Sequence, residues 1–181
     1  DVSDRVMQNF TRLGFSCHIA VGGDGSLEIA HRFATEKGMP VIGVPNTIHN
    51  DLHATQRTFG CDTAVATATD ALDRLHSTAK SHDRVMVVEV MGRYAGWIAL
   101  HSGLAGNADT ILIPEIPYDL RAVAAHLRKK PNFARAYGIV VVAEGAKPIG
   151  GQLSVIGHEV GREVRLGGIG EQVASNGEPI P

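Results

Sequence analysis

Cys17-His18-Ile19-Ala20-Val21-Gly22-Gly23-Asp24-Gly25-Ser26-Leu27-Glu28-Ile29-Ala30 passes from a short apolar run, through glycines and one carboxylate, into a helical repeat. A continuous apolar run bounded by glycine predicts a strand buried on both faces, here Cys17 to Val21. Leu27 to Lys37 then places Ile29, Ala30, Phe33 and Ala34 on one face, with Ser26 as N-cap and Gly38 just past the end. The same reading extends outward. Val41 to Val44, Val85 to Val90, Thr110 to Ile113 and Ile139 to Ala143 are further β-branched runs. Between them Val65, Ala68, Leu72, Leu75 and Ala79 recur at three and four residues, behind Asp62 as a cap, and a further helix is expected from Asp119 to Lys130, stopped by Pro131. Alternating strands and helices predict an α/β fold, a layered and mainly parallel sheet with helices on both faces.

Polar clusters fall directly after the strands: Gly22 to Ser26, Pro45 to Asp51, Met91 to Gly96, Pro114-Glu115 and Glu144 to Ala146. In open α/β sheets the carboxyl ends of the strands form the ligand crevice, so these segments point to one place. From Gly150 onward the pattern weakens, with no convincing strand before the Gly177-to-Pro181 tail. The division expected is therefore a core over residues 1–149 and part of a second domain over 150–181.

The 181 residues are 44% hydrophobic and 20% charged, which supports a packed globular core and excludes a disordered or fibrous chain. Seventeen Lys and Arg against nineteen Asp and Glu leave a net charge of −2, without the basic field that nucleic acid or an anionic membrane demands. Cys17 and Cys61 lack metal-ligand spacing and read as small thiols in a reducing compartment. No apolar run reaches spanning length and Asp1-Val2-Ser3-Asp4-Arg5 is not a signal peptide, so a cytoplasmic protein is expected.

Gly22, Gly23, Asp24, Gly25 and Ser26 have neither Walker nor dinucleotide spacing, yet glycines between strand and helix let backbone N–H groups approach a phosphate. Asp24 is then the Mg2+ ligand expected, because hard cations take carboxylate and phosphate oxygens; the competing reading is a plain tight turn. Thr47, His49, Asn50 and Asp51 supply groups dense enough for proton transfer to a reacting hydroxyl. His49, Asp51 and His53 also admit a less favoured metal-site reading. Arg93 and Arg84 can each grip a phosphate or remain solvated, and Glu144 can accept from sugar hydroxyls or cap a loop.

Gly22 to Ser26, Pro45 to Asp51, Ser81-His82-Asp83-Arg84, Val87 to Gly96, Pro114-Glu115 and Ala143-Glu144-Gly145 together resemble, in order and spacing, the phosphofructokinase family over residues 15–146. The resemblance implies transfer of the γ-phosphoryl of ATP to the 1-hydroxyl of fructose 6-phosphate with Mg2+, in glycolysis. It also implies a homo-oligomer, dimer or tetramer, whose subunits share active sites. On this resemblance Gly22 to Ser26 line the donor site, Asp24 meets Mg2+, and Thr47 and His49 meet the reacting end of the sugar. Met91, Gly92, Arg93 and Glu144 hold the sugar phosphate, and Arg84 reaches the 6-phosphate in the adjacent subunit. Glu115 resembles an effector-binding position of some bacterial members.

The family loop reads Thr-Ile-Asp-Asn-Asp, and its first Asp, the catalytic base, is replaced by His49. Neutral imidazole accepts a proton near pH 7 but brings no negative charge; Asp51 remains as a second acceptor. The family's amino-terminal phosphate loop and its carboxy-terminal arginine-bearing part are not recognisable, which leaves a piece of a longer chain or a truncated protein. Pyrophosphate-using members resemble one another in an Asp at the Gly25 position and a Lys at the Asn46 position, so Gly25 and Asn46 favour ATP. The alternatives are a pyrophosphate-dependent enzyme, a catalytically impaired homologue that binds nucleotide and sugar phosphate, and a lipid or NAD kinase sharing only the glycine turn.

Overall fold

The computed structural model describes residues 2–128, 137–157 and 165–175, which fall into two compact units, Asp1–Gly60 and Cys61–Pro181.

In the first unit the order is α1 (Val2–Arg12), β1 (His18–Gly22), α2 (Asp24–Lys37), β2 (Val41–Thr47) and β3 (Phe59–Gly60). The strands form one parallel sheet in the order β1-β2-β3, with His18 opposite Val41 and Gly22 opposite Pro45. Leu27 of α2 lies against Gly43 so closely that a Cβ there would stand 3.3 Å from Leu27 Cδ2. Gly38 ends α2 in the left-handed region at φ +68°, its N–H donating to the Phe33 carbonyl, as the sequence predicts. The start differs: α2 begins at Asp24, Gly23 is the N-cap, and no side chain caps it. Ser26 is inside the first turn, with its side chain folded over Gly22, where a Cβ would stand 2.7 Å from Ser26 Cβ.

The second face of this sheet departs from the fully buried strands expected. Ile19, Val21 and Ile42 are 61%, 58% and 56% exposed. The helix α1, for which the sequence reading set no expectation, contributes no buried residue.

The second unit contains α3 (Cys61–Ser81), β4 (Val85–Val90), α4 (Trp97–Ala105), β5 (Thr110–Leu112), α5 (Leu120–Arg128), β6 (Gly138–Ala143), β7 (Val155–Gly157), β8 (Arg165–Leu166) and α6 (Ile169–Ser175). Its main sheet is parallel in the order β4-β6-β5, as expected of an α/β fold. β6 is the central strand, and Ile139, Val140, Val141, Val142 and Ala143 are buried, as continuous apolar strands should be. Its side chains alternate between two cores. Ile139, Val141 and Ala143 meet Leu72 of α3 and Ala99 of α4; Val140 and Val142 meet Leu112, Leu127 of α5, and Ile169 and Val173 of α6. Helices thus cover both faces of this sheet.

Asp62 stands in the first turn of α3 rather than before it, because the helix starts at Cys61. The last residues expected for the Asp119 helix, with Pro131, lie outside the described residues, as does the 177–181 tail. Asp119 instead precedes α5, where its Oδ1 accepts the Arg121 N–H at 2.9 Å. After Gly150 the structure does contain strands: β7 and β8 pair antiparallel, with Val155 opposite Leu166. They are too short for period-two alternation to show. Glu89 of β4 anchors the start of α6, its Oε1 accepting from Gly168 N–H at 3.0 Å and its Oε2 from Gly170 N–H at 2.9 Å. Neither cysteine forms a disulfide; Cys61 is buried and Cys17 partly exposed. Among the described residues no helix is long and apolar enough to cross a membrane.

Candidate active site

In the first unit the parallel pairing of β1 and β2 brings the Gly22–Ser26 turn and the Thr47 loop to one edge. They touch: a Cβ on Gly23 would stand 3.6 Å from Thr47 Cβ and 3.9 Å from the Asn46 carbonyl oxygen. Around Gly25 the space is open, with nothing within 4 Å of a Cβ built there, and Asp24 beside it is exposed. The start of α2 adds backbone N–H groups without a side-chain cap, an arrangement favourable to negative charge.

The acceptor loop is locked by its own polar groups. Thr58, only 3% exposed, donates its hydroxyl to the Thr47 carbonyl at 2.7 Å. Its N–H donates to Asn50 Oδ1 at 2.8 Å, and Asn50 Nδ2 donates to the Gln56 carbonyl at 3.3 Å. Asn50 holds the left-handed φ of +54° that this turn requires, a conformation asparagine tolerates better than most residues. The His49 N–H donates to Thr47 Oγ1 at 3.2 Å. His49 Nδ1 is buried without a hydrogen-bond partner, whereas Asp51 is exposed. An enclosed, unpaired ring nitrogen costs stability. In the sequence Asn50 is one more polar group of the loop, and nothing there distinguishes Thr58 from other threonines.

In the second unit the carboxyl ends of β4, β5 and β6 share one edge and carry Met91 to Gly96, Pro114-Glu115 and Glu144-Gly145. Glu144 Oε1 accepts two backbone donors, Gly92 N–H at 3.0 Å and Arg93 N–H at 2.7 Å. The loop it holds is sharply bent: Arg93 has φ +51°, and Ala95 N–H donates to the Gly92 carbonyl at 2.9 Å. Glycine is required on both sides of the crossing. A Cβ on Gly92 would collide with the Ala95 carbonyl oxygen, and one on Gly145 with the Arg93 carbonyl oxygen. The Arg93 and Met91 side chains are exposed.

Arg84 is not brought to this edge. It precedes β4, where its carbonyl accepts the Gly138 N–H at 3.2 Å, so the length of the sheet separates it from Arg93 and Glu144.

A single carboxylate at Asp24, open space at Gly25 and uncapped helix N–H groups fit a Mg2+ ion held jointly with substrate phosphates. They do not form a protein cage: among the described residues no group of three or more His, Cys, Asp or Glu is placed to hold a metal. That finding also overturns the metal reading of His49, Asp51 and His53.

The family model for phosphofructokinase matches residues 1–177. An ATP-dependent 6-phosphofructokinase 2 of Clostridium perfringens is 51% identical over 176 residues, 96% of this chain and 48% of that protein. A pyrophosphate–fructose 6-phosphate 1-phosphotransferase of Streptomyces coelicolor is 52% identical over 173 residues, 94% of this chain and 50% of that protein. The crystal structure of a pyrophosphate-dependent phosphofructokinase from Nitrosospira multiformis superposes with a TM-score of 0.73 at 28% identity, covering 83% of this chain and 41% of that one. The chain spans about half the length of the curated relatives it matches. A family match over nearly all its residues, joined to the same fold, means that this chain belongs to the phosphofructokinase family.

Proposed function

We infer that the protein is an ATP-dependent 6-phosphofructokinase of glycolysis, working in the cytoplasm. The observation that carries this reading is the contact between Gly23 and Thr47, which sets a phosphate-cradling turn beside a loop of hydroxyl, imidazole and carboxylate groups. In the reaction the 1-hydroxyl oxygen of fructose 6-phosphate attacks the γ-phosphorus of ATP and the bond to the β-phosphate oxygen breaks. ADP and fructose 1,6-bisphosphate leave, and the hydroxyl proton passes to an acceptor on the protein. Such a transfer needs positioning, charge neutralisation and a proton acceptor more than covalent chemistry by the protein.

The residues divide these tasks. Gly22, Gly23, Gly25 and Ser26 receive the donor phosphates with their backbone N–H groups. Asp24 holds Mg2+, which neutralises phosphate charge when bound. Thr47 orients the sugar, and the His49 imidazole accepts the proton. Arg93 and Met91, on the turn that Glu144 anchors, hold the sugar phosphate. Arg84, on the opposite edge, serves the 6-phosphate in the site of a neighbouring subunit, which makes the working protein a homo-oligomer.

Relatives carry names with either donor, so the choice of ATP rests on Gly25 and Asn46. A carboxylate at Gly25 would crowd and repel an α-phosphate; glycine leaves the space open. A second reading, a binding homologue without turnover, draws on the enclosure of His49 Nδ1. A coupled assay of the full chain with fructose 6-phosphate, Mg2+ and either ATP or pyrophosphate, wild type beside His49→Asp, separates the readings. Wild-type turnover with ATP supports the enzyme. Silence from the wild type and activity in the Asp variant support the binding homologue.

A further inference from the structure

We propose that Glu115 is a positioning residue of the sugar-phosphate site, holding the far end of the Met91–Gly96 turn while Glu144 holds the near end. The proposal rests on the sugar-binding role of Met91, Gly92 and Arg93 in the proposed function. The turn leaves β4 and enters α4, and each end is gripped by a carboxylate that follows a different strand of the sheet. Glu144, after β6, takes Gly92 N–H and Arg93 N–H; Glu115, after β5, takes Gly96 N–H on its Oε1 at 2.9 Å. Gly96 is pressed against the same wall, since a Cβ there would stand 2.5 Å from Ile113 Cβ and 2.8 Å from Glu115 Oε2.

Between the two grips lies Arg93, at φ +51°. A non-glycine residue persists there only where its surroundings over-determine it. The Glu144 bonds alone leave the Gly96 end of the turn free to relax, which shifts the backbone that carries Arg93. Because ligand contacts depend on placement at the ångström scale, the second grip fixes the backbone from which the Arg93 side chain projects. Glu115 itself stands beyond the bend and acts through the backbone. Its carboxylate also faces the first turn of α4, where negative charge is favourable.

The test uses the full chain with Glu115→Ala, Glu115→Gln and Glu115→Asp, titrating fructose 6-phosphate and ATP separately by calorimetry. Glutamine keeps an acceptor oxygen at the same reach; aspartate draws it back by one methylene. The Ala variant should lose about 10-fold in fructose 6-phosphate affinity, the scale of one lost charge-assisted hydrogen bond, with ATP affinity held within about 2-fold. The Gln variant should stay within about 3-fold of wild type for both ligands, and the Asp variant should fall between. Where the Ala variant does not fold, the Asp and Gln pair gives the same comparison. Unchanged sugar affinity in the Ala variant overturns the proposal, as does equal loss of both ligands or a Gln variant as weak as Ala. A wild type that binds no fructose 6-phosphate overturns the functional reading and this proposal together, whereas a binding wild type with an indifferent Ala variant overturns only the role of Glu115.

Discussion

Glu144 and Arg93 are joined through the backbone: the Arg93 N–H reaches Glu144 Oε1 at 2.7 Å, while the Arg93 carbonyl rests where Gly145 has no Cβ. Substituting Gly145 with Ala therefore forces a methyl into the carbonyl oxygen of a residue whose N–H is already tethered. The expected cost is about 1–3 kcal/mol of stability, accompanied by weaker fructose 6-phosphate binding. Denaturant unfolding together with a sugar-phosphate titration checks this; unchanged values in both would show that the loop moves aside freely.

His49 offers a kinetic prediction. If its imidazole takes the hydroxyl proton, His49→Ala lowers kcat by about 10²–10⁴-fold while KM for each substrate changes by a few-fold at most. A kcat within about 3-fold of wild type would move the base elsewhere, with Asp51 the next candidate.

At Gly25 the prediction concerns the donor. Space is open there, so Gly25→Asp should leave the melting temperature nearly unchanged. Its carboxylate should lower kcat/KM for ATP by about 10-fold or more through repulsion of phosphate. Steady-state kinetics with calorimetric melting would separate these effects, and an unaltered kcat/KM would remove Gly25 from the donor site.

Leu72 and Leu104 form a matched pair for stability. Leu72 is fully buried between α3 and the sheet, and its truncation to Ala should cost about 2–5 kcal/mol. Leu104 is 68% exposed, and the same change should stay within about 0.5 kcal/mol. Chemical denaturation of both variants tests the placement of the core.

Tyr118 predicts an alkaline limb. Burial pushes its phenol up from the ordinary value, so the folded state favours the neutral ring. The associated stability is present in full below the ordinary tyrosine pKa of about 10 and is lost as pH rises through the folded value. Tyr118→Phe should flatten the fall in melting temperature above that pH, as a pH series of melts would reveal.

The legible parts of the sequence are those where a pattern repeats over enough residues. Ile139 to Ala143 announces a central strand because every residue is apolar, and Val65 to Ala79 announces a helix because several turns share one face. Short elements lack that length: β7 and β8 do not complete an alternation, and α4 is apolar on all sides, so its Ile98, Ala99, Ser102 and Gly103 show no stripe. Ser26 is misread as a cap because a serine before an apolar run has a cap's composition, whereas the missing side chain at Gly22 lets it fold the other way. In the site, the glycine turn and the Thr47 loop can be located from residue types. The employment of Glu144 cannot, because a carboxylate that binds a ligand and one that holds a loop look alike in sequence.

The bond pair on Glu89 bears on the order in which the chain assembles. Its acceptors meet donors 79 and 81 residues further along, and α6, with only seven residues, has too few turns to persist alone in water. Ring closure over that span carries an entropic penalty that only a pre-formed sheet can offset. Docking of α6 is therefore expected after β4 is in register, and a ribosome-bound chain ending before Gly168 would carry the Glu89 carboxylate with neither of those two amides to receive.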